Sequence, residues 1–337
     1  MITKPIAIVT GGAGFIGSHM VDVLLDNEFE VRVIDNLSGG HERNLAHRAS
    51  DPRLHFEKAD ICNLEPGSSL FQGANYVFHF AGIGDIVPSI EHPIAYMQTN
   101  VQGTVRVLEA ARSAGVNKFL YAASSSCYGL AATPSREDHP IAPQYPYALS
   151  KYQGEQAAFH WHQVYGLPVN SIRIFNAYGT RVRTTGVYGA VFGVFFKQKL
   201  AGKPYTVVGD GNQTRDFIYV TDVAQAFLAA AQTQRVGQVY NVGAGAPQRV
   251  NRLVELLGGE VVYVPKRPGE PDCTWADIGK ITSELAWKPE VSFKEGVAMM
   301  LAEIGNWKNA PLWDPESINK ATQIWFQYMG NKNIDAK

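Results

Sequence analysis

A glycine-rich segment near the start of the chain, Thr10-Gly11-Gly12-Ala13-Gly14-Phe15-Ile16-Gly17, follows the apolar run 6–9 and precedes a helical pattern over residues 17–26. Glycines permit a tight turn, and the backbone N–H groups and dipole of the next helix can receive a phosphate group. The spacing is Gly-x-x-Gly-x-x-Gly rather than the more familiar Gly-x-Gly-x-x-Gly. The segment therefore predicts a strand, an anion-binding turn and a helix.

The same alternation continues through the first half of the chain. Strand-like runs lie at residues 31–34, 54–56, 76–80, 119–122 and 169–174, with helical patterns such as 94–114 between most of them. Repeated strand and helix segments predict an α/β protein with a doubly wound parallel Rossmann sheet. We expect residues 1–176 to form this domain, with a segment of about 216–242 returning to it. Residues 177–337 are expected to form a smaller, less regular α/β substrate domain with a helical tail.

An acidic residue follows the second predicted strand, at Asp35-Asn36. A carboxylate at this position of a Rossmann unit can bond both ribose hydroxyls of a dinucleotide and would repel a 2′-phosphate. Together with the glycine turn, Asp35 therefore predicts NAD rather than NADP as the cofactor. A purely structural glycine turn is the alternative.

Composition narrows the class of protein. The chain has 337 residues, 45% of them hydrophobic and 18% charged, and its formal net charge is −1 without any Lys/Arg block. Such a balance argues against a nucleic-acid or anionic-membrane partner. Three widely spaced cysteines fit a reducing compartment. No signal-peptide pattern or apolar stretch of about 20 residues occurs, so a cytoplasmic location is expected.

A phenol and an ammonium lie four residues apart at Tyr147 and Lys151, on one face of a predicted helix. A nearby positive charge can favour tyrosinate, which makes a side chain with a usual pKa near 10 a proton acceptor. Upstream, the strand 119–122 leads into Ser124-Ser125-Ser126, at the edge of a parallel sheet where ligands bind. A serine there can pass a proton between a sugar and the tyrosine, or the serines can simply close a turn.

Several motifs occur in the order typical of one family. They are the 10–17 segment, Asp35-Asn36, Asp60-Ile61, Phe80-Ala81-Gly82, the serines with Tyr128-Gly129, Tyr147 with Lys151, Arg173-Ile174-Phe175-Asn176 and Arg215-Asp216-Phe217-Ile218-Tyr219-Val220. With them the chain resembles the extended short-chain dehydrogenase/reductase family, and within it the nucleotide-sugar epimerases. The resemblance covers about residues 5–297, and the residues after about 300 match no motif of the family.

The resemblance implies roles for individual residues. Tyr147 would be the base, Lys151 would hold the nicotinamide ribose and lower the Tyr147 pKa, and Ser124 would bond the sugar O4. The implied NAD contacts are Gly11, Gly14, Phe15, Ile16, Gly17, Asp35, Asn36, Asp60, Ile61, Phe80, Ala81, Gly82, Asn100, Tyr147, Lys151 and Phe175. The implied substrate contacts are Gly84, Ser124, Ser125, Ser126, Tyr147, Asn176, Thr206, Arg215, Arg267, Glu270 and Thr274. No metal ion is implied.

The expected activity is that of an NAD-dependent isomerase, a 4-epimerase of a UDP-hexose or UDP-N-acetylhexosamine that works through a 4-ketosugar. Related 4,6-dehydratases usually carry an Asp-Glu pair where this chain has Ser125-Ser126, which argues against dehydration. Gly84 and Thr274 are small and leave room for an acetamido group at C2 or a carboxylate at C6. The alternatives are a UDP-glucuronate 4-epimerase or decarboxylase and, further off, a dehydratase or an NAD-binding sensor without catalysis.

Two further expectations concern the helices. The Trp-rich tail has a helix start at Asp314-Pro315, and Ile318, Ala321, Ile324, Trp325 and Tyr328 form an apolar stripe that would pack on the body. The resemblance also implies a homodimer. Its four-helix bundle would be built from the helices at about 94–114 and 147–165.

Overall fold

The computed structural model describes residues 4–184 and 191–330. Its strands are β1 (Ile6–Thr10), β2 (Glu30–Asp35), β3 (Leu54–Lys58), β4 (Tyr76–His79), β5 (Lys118–Ser124), β6 (Val169–Ile174), β7 (Asn176–Tyr178), β8 (Tyr205–Val208), β9 (Thr214–Arg215), β10 (Phe217–Tyr219), β11 (Gln238–Val242), β12 (Gln248–Arg249) and β13 (Val261–Val264). Its α-helices are α1 (Phe15–Asp26), α2 (Ile86–Glu91), α3 (Pro93–Met97), α4 (Thr104–Ala114), α5 (Pro146–Tyr165), α6 (Val191–Leu200), α7 (Val220–Gln232), α8 (Val250–Leu257), α9 (Gly279–Leu285), α10 (Phe293–Ala302) and α11 (Pro315–Met329).

Seven parallel strands form the main sheet, in the order β11-β6-β5-β4-β1-β2-β3. The order reverses beside β1, which carries the glycine turn at its carboxyl end. The central strands read as continuous Val, Ile and Phe runs because both faces of a parallel sheet are covered. The doubly wound Rossmann class predicted from the sequence is confirmed.

Two apolar cores lie on the two faces of this sheet. On one face, α1 and α7 pack on each other and bury Met20, Leu24 and Phe227 against the strands. On the other face, α4 and α5 contribute Val107, Leu108 and Ala158. Strand β11 and helix α7 come from late in the chain. Strand β11 completes the main sheet, and α7 completes the helical layer on the face covered by α1.

The helix predicted over residues 94–114 is present but not uniform. Helices α3 and α4 are joined by a π-helical turn, Gln98–Gly103, so that the helix continues from Pro93 to Ala114. Single π turns inside α-helices occur frequently at functional sites, since the extra residue changes where side chains point. Here the turn carries the buried Asn100.

The second region has its own aromatic core, built around the parallel pair of β8 and β13 and the helices α6, α8 and α10. Helix α11 begins at Pro315 after an Asp314 cap, as predicted. Its buried face is Ile318, Thr322, Trp325 and Met329, whereas Tyr328 is 56% exposed, so the predicted stripe was wrong at Tyr328. Among the described residues, the helices are all too short or too polar to cross a membrane.

Candidate active site

A cleft of about 750 Å³ opens at the carboxyl ends of the central strands. It contains the three residues expected to react, Ser124, Tyr147 and Lys151, and the small residue Gly84. The cofactor residues expected from the sequence that line it are Gly11, Gly14, Phe15, Ile16, Gly17, Asp35, Asn36, Asp60, Ile61, Phe80, Ala81, Gly82, Tyr147, Lys151 and Phe175. The fold therefore gathers these positions around one cavity.

The glycine turn has the shape that a bound pyrophosphate requires. Gly11 has φ +71°, and a Cβ there would lie 2.6 Å from the backbone nitrogen of Ala81. A Cβ on Gly17 would lie 2.2 Å from the Gly11 carbonyl oxygen. Gly14 caps α1 without any side-chain hydrogen bond, and the first turn holds no acidic residue. The amino end of this helix is therefore suited to an anion.

Hydrogen bonds within the protein fix two carboxylates that lie at the ends of β2 and β3. Asp35 is buried and accepts bonds from the backbone nitrogens of Ala13 at 3.0 Å and Leu37 at 2.8 Å. Asn36 donates to Asp60 at 3.0 Å, and the backbone N–H of Cys62 lowers the pKa of Asp60. The lowered pKa keeps Asp60 ionised at neutral pH, and both side chains lie beside the cleft.

Asn100 lies behind the cleft, not on its surface. Its amide nitrogen donates to the Ile83 carbonyl at 3.0 Å and to the Ser150 hydroxyl at 2.9 Å, and its oxygen accepts from the Ile83 nitrogen at 2.8 Å. The side chain is 1% exposed. Asn100 thus fixes the loop that follows β4 to helix α5, instead of lining the cavity as expected.

Ser124, Tyr147 and Lys151 come from the end of β5 and the start of α5. The Ser124 hydroxyl hydrogen bonds Tyr147 and lies 2.8 Å from the Ser126 hydroxyl oxygen. The Lys151 ammonium lies 4.6 Å from the centre of the Tyr121 ring, whose hydroxyl donates to the Lys151 carbonyl at 3.0 Å. Contacts from both β5 and α5 therefore hold the Ser124, Tyr147 and Lys151 side chains in place.

Burial shifts the pKa values of this pair. It lowers the pKa of Lys151 to about 8, with partial compensation from Glu155. Burial also raises the pKa of Tyr147, and the hydrogen bond with Ser124 opposes this rise. Loss of solvation is thus the largest influence on the Tyr147 pKa in this arrangement, and the lowering of that pKa by Lys151 stays a prediction.

A second cavity of about 400 Å³ contains Arg215 and Glu270. Arg215 pairs with Glu270 at 2.8 Å, and Arg267 pairs with the other carboxylate oxygen at 2.8 Å. The two guanidinium groups thus share the Glu270 carboxylate, and Lys266, Asp210 and Asp272 line the same cavity as Arg215. Arginine side chains can offer paired hydrogen bonds to the oxygens of a diphosphate.

The other residues that were expected to contact the substrate lie in different parts of the structure. The Thr274 hydroxyl donates to Asn176 at 2.6 Å and accepts from the Asp216 nitrogen at 3.1 Å, which connects Thr274 to the start of β7. Ser125 and Ser126 form the turn after β5. Thr206 is 5% exposed, accepts a bond from Gln198 at 2.8 Å and lines neither cavity. The structure does not bring Thr206 into the site.

Sequence reasoning missed several residues at the site, among them Tyr145, Asp85 and Arg183. Tyr145 stacks nearly parallel to Tyr147, with ring centres 6.4 Å apart and an interplanar angle of 6°. Its place directly before Pro146, at the start of the helix that carries Tyr147, was the available signal. Asp85 and Arg183 line the main cleft and form an ion pair at 3.8 Å, and no motif had marked either.

Comparison with known proteins agrees with this geometry. Residues 7–243 match the NAD dependent epimerase/dehydratase family. The chain is 37% identical over 309 residues to a putative UDP-glucose 4-epimerase of Methanocaldococcus jannaschii, which covers 89% of this chain and 97% of the relative. It is 33% identical over 311 residues to a dTDP-glucose 4,6-dehydratase of an Actinoplanes species, which covers 88% and 96%.

A solved structure supports the same grouping. UDP-glucuronic acid 4-epimerase from Bacillus cereus, in complex with UDP-glucuronic acid and NAD, superposes with a TM-score of 0.84 at 31% identity, over 89% of this chain and 99% of the other. This chain belongs to the NAD-dependent epimerase/dehydratase family. The chain is similar to UDP-sugar 4-epimerases and also to 4,6-dehydratases and a UDP-glucuronic acid decarboxylase, and NAD is the family's cofactor.

Proposed function

We propose that this chain is an NAD-dependent nucleotide-sugar 4-epimerase, which inverts C4 of a UDP-hexose or UDP-N-acetylhexosamine. The observation that carries the proposal is the meeting of Ser124, Tyr147 and Lys151 on the wall of the cleft that begins at the glycine turn. A proton acceptor beside a dinucleotide site is what oxidation of a secondary alcohol requires.

The chain's own residues have distinct tasks in this reaction. The Gly11 turn and the amino end of α1 would hold the pyrophosphate of NAD, and Asp35 would hold the adenosine ribose. When bound, NAD supplies the acceptor for a hydride and returns that hydride later. Lys151 would hold the nicotinamide ribose, and its charge would favour the phenolate of Tyr147.

Proton transfer would run through Tyr147 and Ser124. The Tyr147 phenolate takes the O4 proton, with Ser124 bonded to both oxygens, as the C4 hydrogen leaves with its electron pair and a C4 carbonyl forms. After the ketosugar turns over, its opposite face would receive the hydride from the bound cofactor, and Tyr147 would give the proton back to O4. Arg215 would hold the diphosphate throughout, so that the sugar can rotate without leaving.

The turn after β5 favours epimerisation over dehydration. Ser125 and Ser126 offer hydroxyls where a dehydratase needs a paired acid and base to eliminate water across C5 and C6. The hydroxyls of Ser124 and Ser126 lie 2.8 Å apart, so this turn presents neutral hydrogen-bonding groups.

A UDP-glucuronate 4-epimerase or decarboxylase is the second candidate. A Cβ built on Gly84 meets nothing within 4 Å, so the cleft has open space beside this residue. That space can admit a substituent larger than a hydroxymethyl group. The match to the Bacillus cereus UDP-glucuronic acid 4-epimerase favours the same candidate.

Product analysis tests the proposal. The purified protein would be incubated separately with UDP-glucose, UDP-N-acetylglucosamine and UDP-glucuronate, and the sugars followed by proton NMR. We expect the C4 epimer of at least one substrate. Carbon dioxide or a 4-keto-6-deoxy sugar as the product would contradict the epimerase assignment. Unchanged sugars, with no change in the near-ultraviolet absorbance of bound NAD, would indicate a sensor.

A further inference from the structure

Helix α11, which matched no family motif, connects the two regions of the molecule. Near its start, Ile318 belongs to the aromatic core of the second region. Near its end, Trp325 and Met329 pack on Val87 of α2, which follows the Gly84 loop of the main cleft. One helix is therefore fixed to both sides of the site.

Trp325 makes the central contacts of this helix. Its side chain is 3% exposed, and its indole nitrogen donates to the Pro268 carbonyl at 2.7 Å. Its ring lies 5.8 Å from the Tyr145 ring at an angle of 47°. The guanidinium carbon of Arg267 lies 6.0 Å from the Trp325 ring centre, at the outer limit for a cation–π contact.

These contacts lead to both halves of the proposed site. Tyr145 stacks on Tyr147, the proton acceptor, and hydrogen bonds the Ser126 side chain. Pro268 follows Arg267 in the loop that ends at Glu270, whose carboxylate pairs with Arg215. The Trp325 indole thus contacts Tyr145, which stacks on Tyr147. It also contacts the 267–270 loop, which carries Glu270 of the second cavity.

We infer that Trp325 is a positioning residue, which fixes the 267–270 loop relative to the Tyr145 and Tyr147 rings. The inference rests on the proposed function, because the sugar must rotate on a diphosphate anchor that stays at a constant distance from Tyr147. A tryptophan suits this task, since a large ring with one directed N–H loses little conformational freedom when it is held. If this support is removed, the nucleotide is held less tightly and the ketosugar leaves more often before reduction.

The test compares variants of the NAD-loaded enzyme in UDP binding by calorimetry and in steady-state kinetics. We expect Trp325→Ala to weaken UDP binding by about tenfold, through loss of the Pro268 bond and the ring contacts. The KM for the UDP-sugar should rise more than kcat falls, and reduced cofactor should accumulate during turnover. Trp325→Phe keeps a ring without the N–H and should lie between Trp325→Ala and wild type.

Tyr328→Ala is the matched control, because Tyr328 lies on the exposed face of the same helix. It should leave UDP affinity unchanged. Trp325→Ala with wild-type UDP affinity and KM but a lowered melting temperature would overturn the positioning role while leaving the epimerase proposal intact. A wild-type enzyme that does not bind UDP would overturn both. Should Trp325→Ala fail to fold, Trp325→Phe with unchanged affinity would also refute the role.

Discussion

Among single residues, the chemistry of the site depends on two buried groups whose pKa values are shifted in opposite directions. Burial raises the pKa of Tyr147 and lowers that of Lys151 to about 8. When the phenol is the weaker acid, the pair loses its first proton near the pKa of the lysine. The remaining proton is then shared between the two groups. The reactive form, phenolate beside ammonium, is one of the two arrangements of this singly deprotonated pair.

A pH profile follows from this coupling. Below about pH 8 the pair is mostly fully protonated, so kcat/KM should rise with pH up to about 8 and then level off. Stopped assays of the epimerase reaction between pH 6 and 10 would measure it. A profile that is flat across this range would contradict the shifts.

Lys151→Arg provides the control for that assignment. A guanidinium does not lose its proton in this range, so the pair can lose only the phenolic proton. The rise in kcat/KM should then continue to higher pH than in the wild type. Retention of the wild-type plateau near pH 8 would show that another group titrates there.

Replacing Tyr147 by Phe removes the proton acceptor and keeps the ring. We expect turnover to fall by roughly a hundredfold or more, the usual contribution of general acid–base catalysis. Bound NAD should remain, because the glycine turn and Asp35 are unchanged; it is measured by releasing the cofactor from denatured protein. Tyr145→Phe, which keeps the stacked ring, is the matched control and should retain most activity. Full activity in Tyr147→Phe would refute its role.

Residues of the site differ in how far the sequence could predict them. Gly11, Asp35 and Tyr147 follow from local pattern, because a turn, a strand end and a helix face each fix their position. Asn100 and Trp325 could not be assigned this way. Asn100 bonds the loop after β4, and Trp325 contacts Pro268, which lies 57 residues away in the chain. Such contacts exist only after the elements have packed.

At the scale of elements, the junction of β1 and α1 is the part most sensitive to added volume. Gly17→Ala places a methyl group 2.2 Å from the Gly11 carbonyl oxygen, which the turn can relieve only by moving. We expect NAD content after purification to fall at least tenfold, since the helix end no longer faces the pyrophosphate. Gly305→Ala, at a position with open space, should have no effect. Normal NAD content in Gly17→Ala would contradict the tight turn.

Elements buried on both faces were the best predicted. The run 169–174 coincides with β6, because a central parallel strand is continuously apolar or bonded inside the sheet. The sequence did not predict the π turn at Gln98–Gly103, because its side chains are equally compatible with an ordinary α-helix. In α11 the Asp314-Pro315 start was predicted correctly, but the buried face follows Ile318, Thr322, Trp325 and Met329, which turns Tyr328 outward.

At the scale of the whole molecule, a dimer stays a prediction. Ile94, Val164 and Tyr165 are exposed on the helices expected to form the four-helix bundle. Single exposed apolar side chains are ordinary on protein surfaces, so the association has to be measured. Sedimentation velocity should give twice the chain mass for the wild type, and Val164→Glu should shift the protein toward monomer. Leu200→Glu, exposed at the end of α6, is the control and should stay dimeric. A monomeric wild type would contradict the bundle.

In the proposed reaction, the hydrogen at C4 leaves as hydride and returns to the same carbon from the opposite side. The most direct test uses a UDP-sugar with deuterium at C4 in ordinary water, with products read by proton and deuterium NMR. We predict that the C4 epimer forms and retains its deuterium at C4, because the hydride stays on tightly bound cofactor between the two steps. Loss of the label to water, or its appearance at C6 of a 4-ketosugar, would contradict the return of hydride to C4.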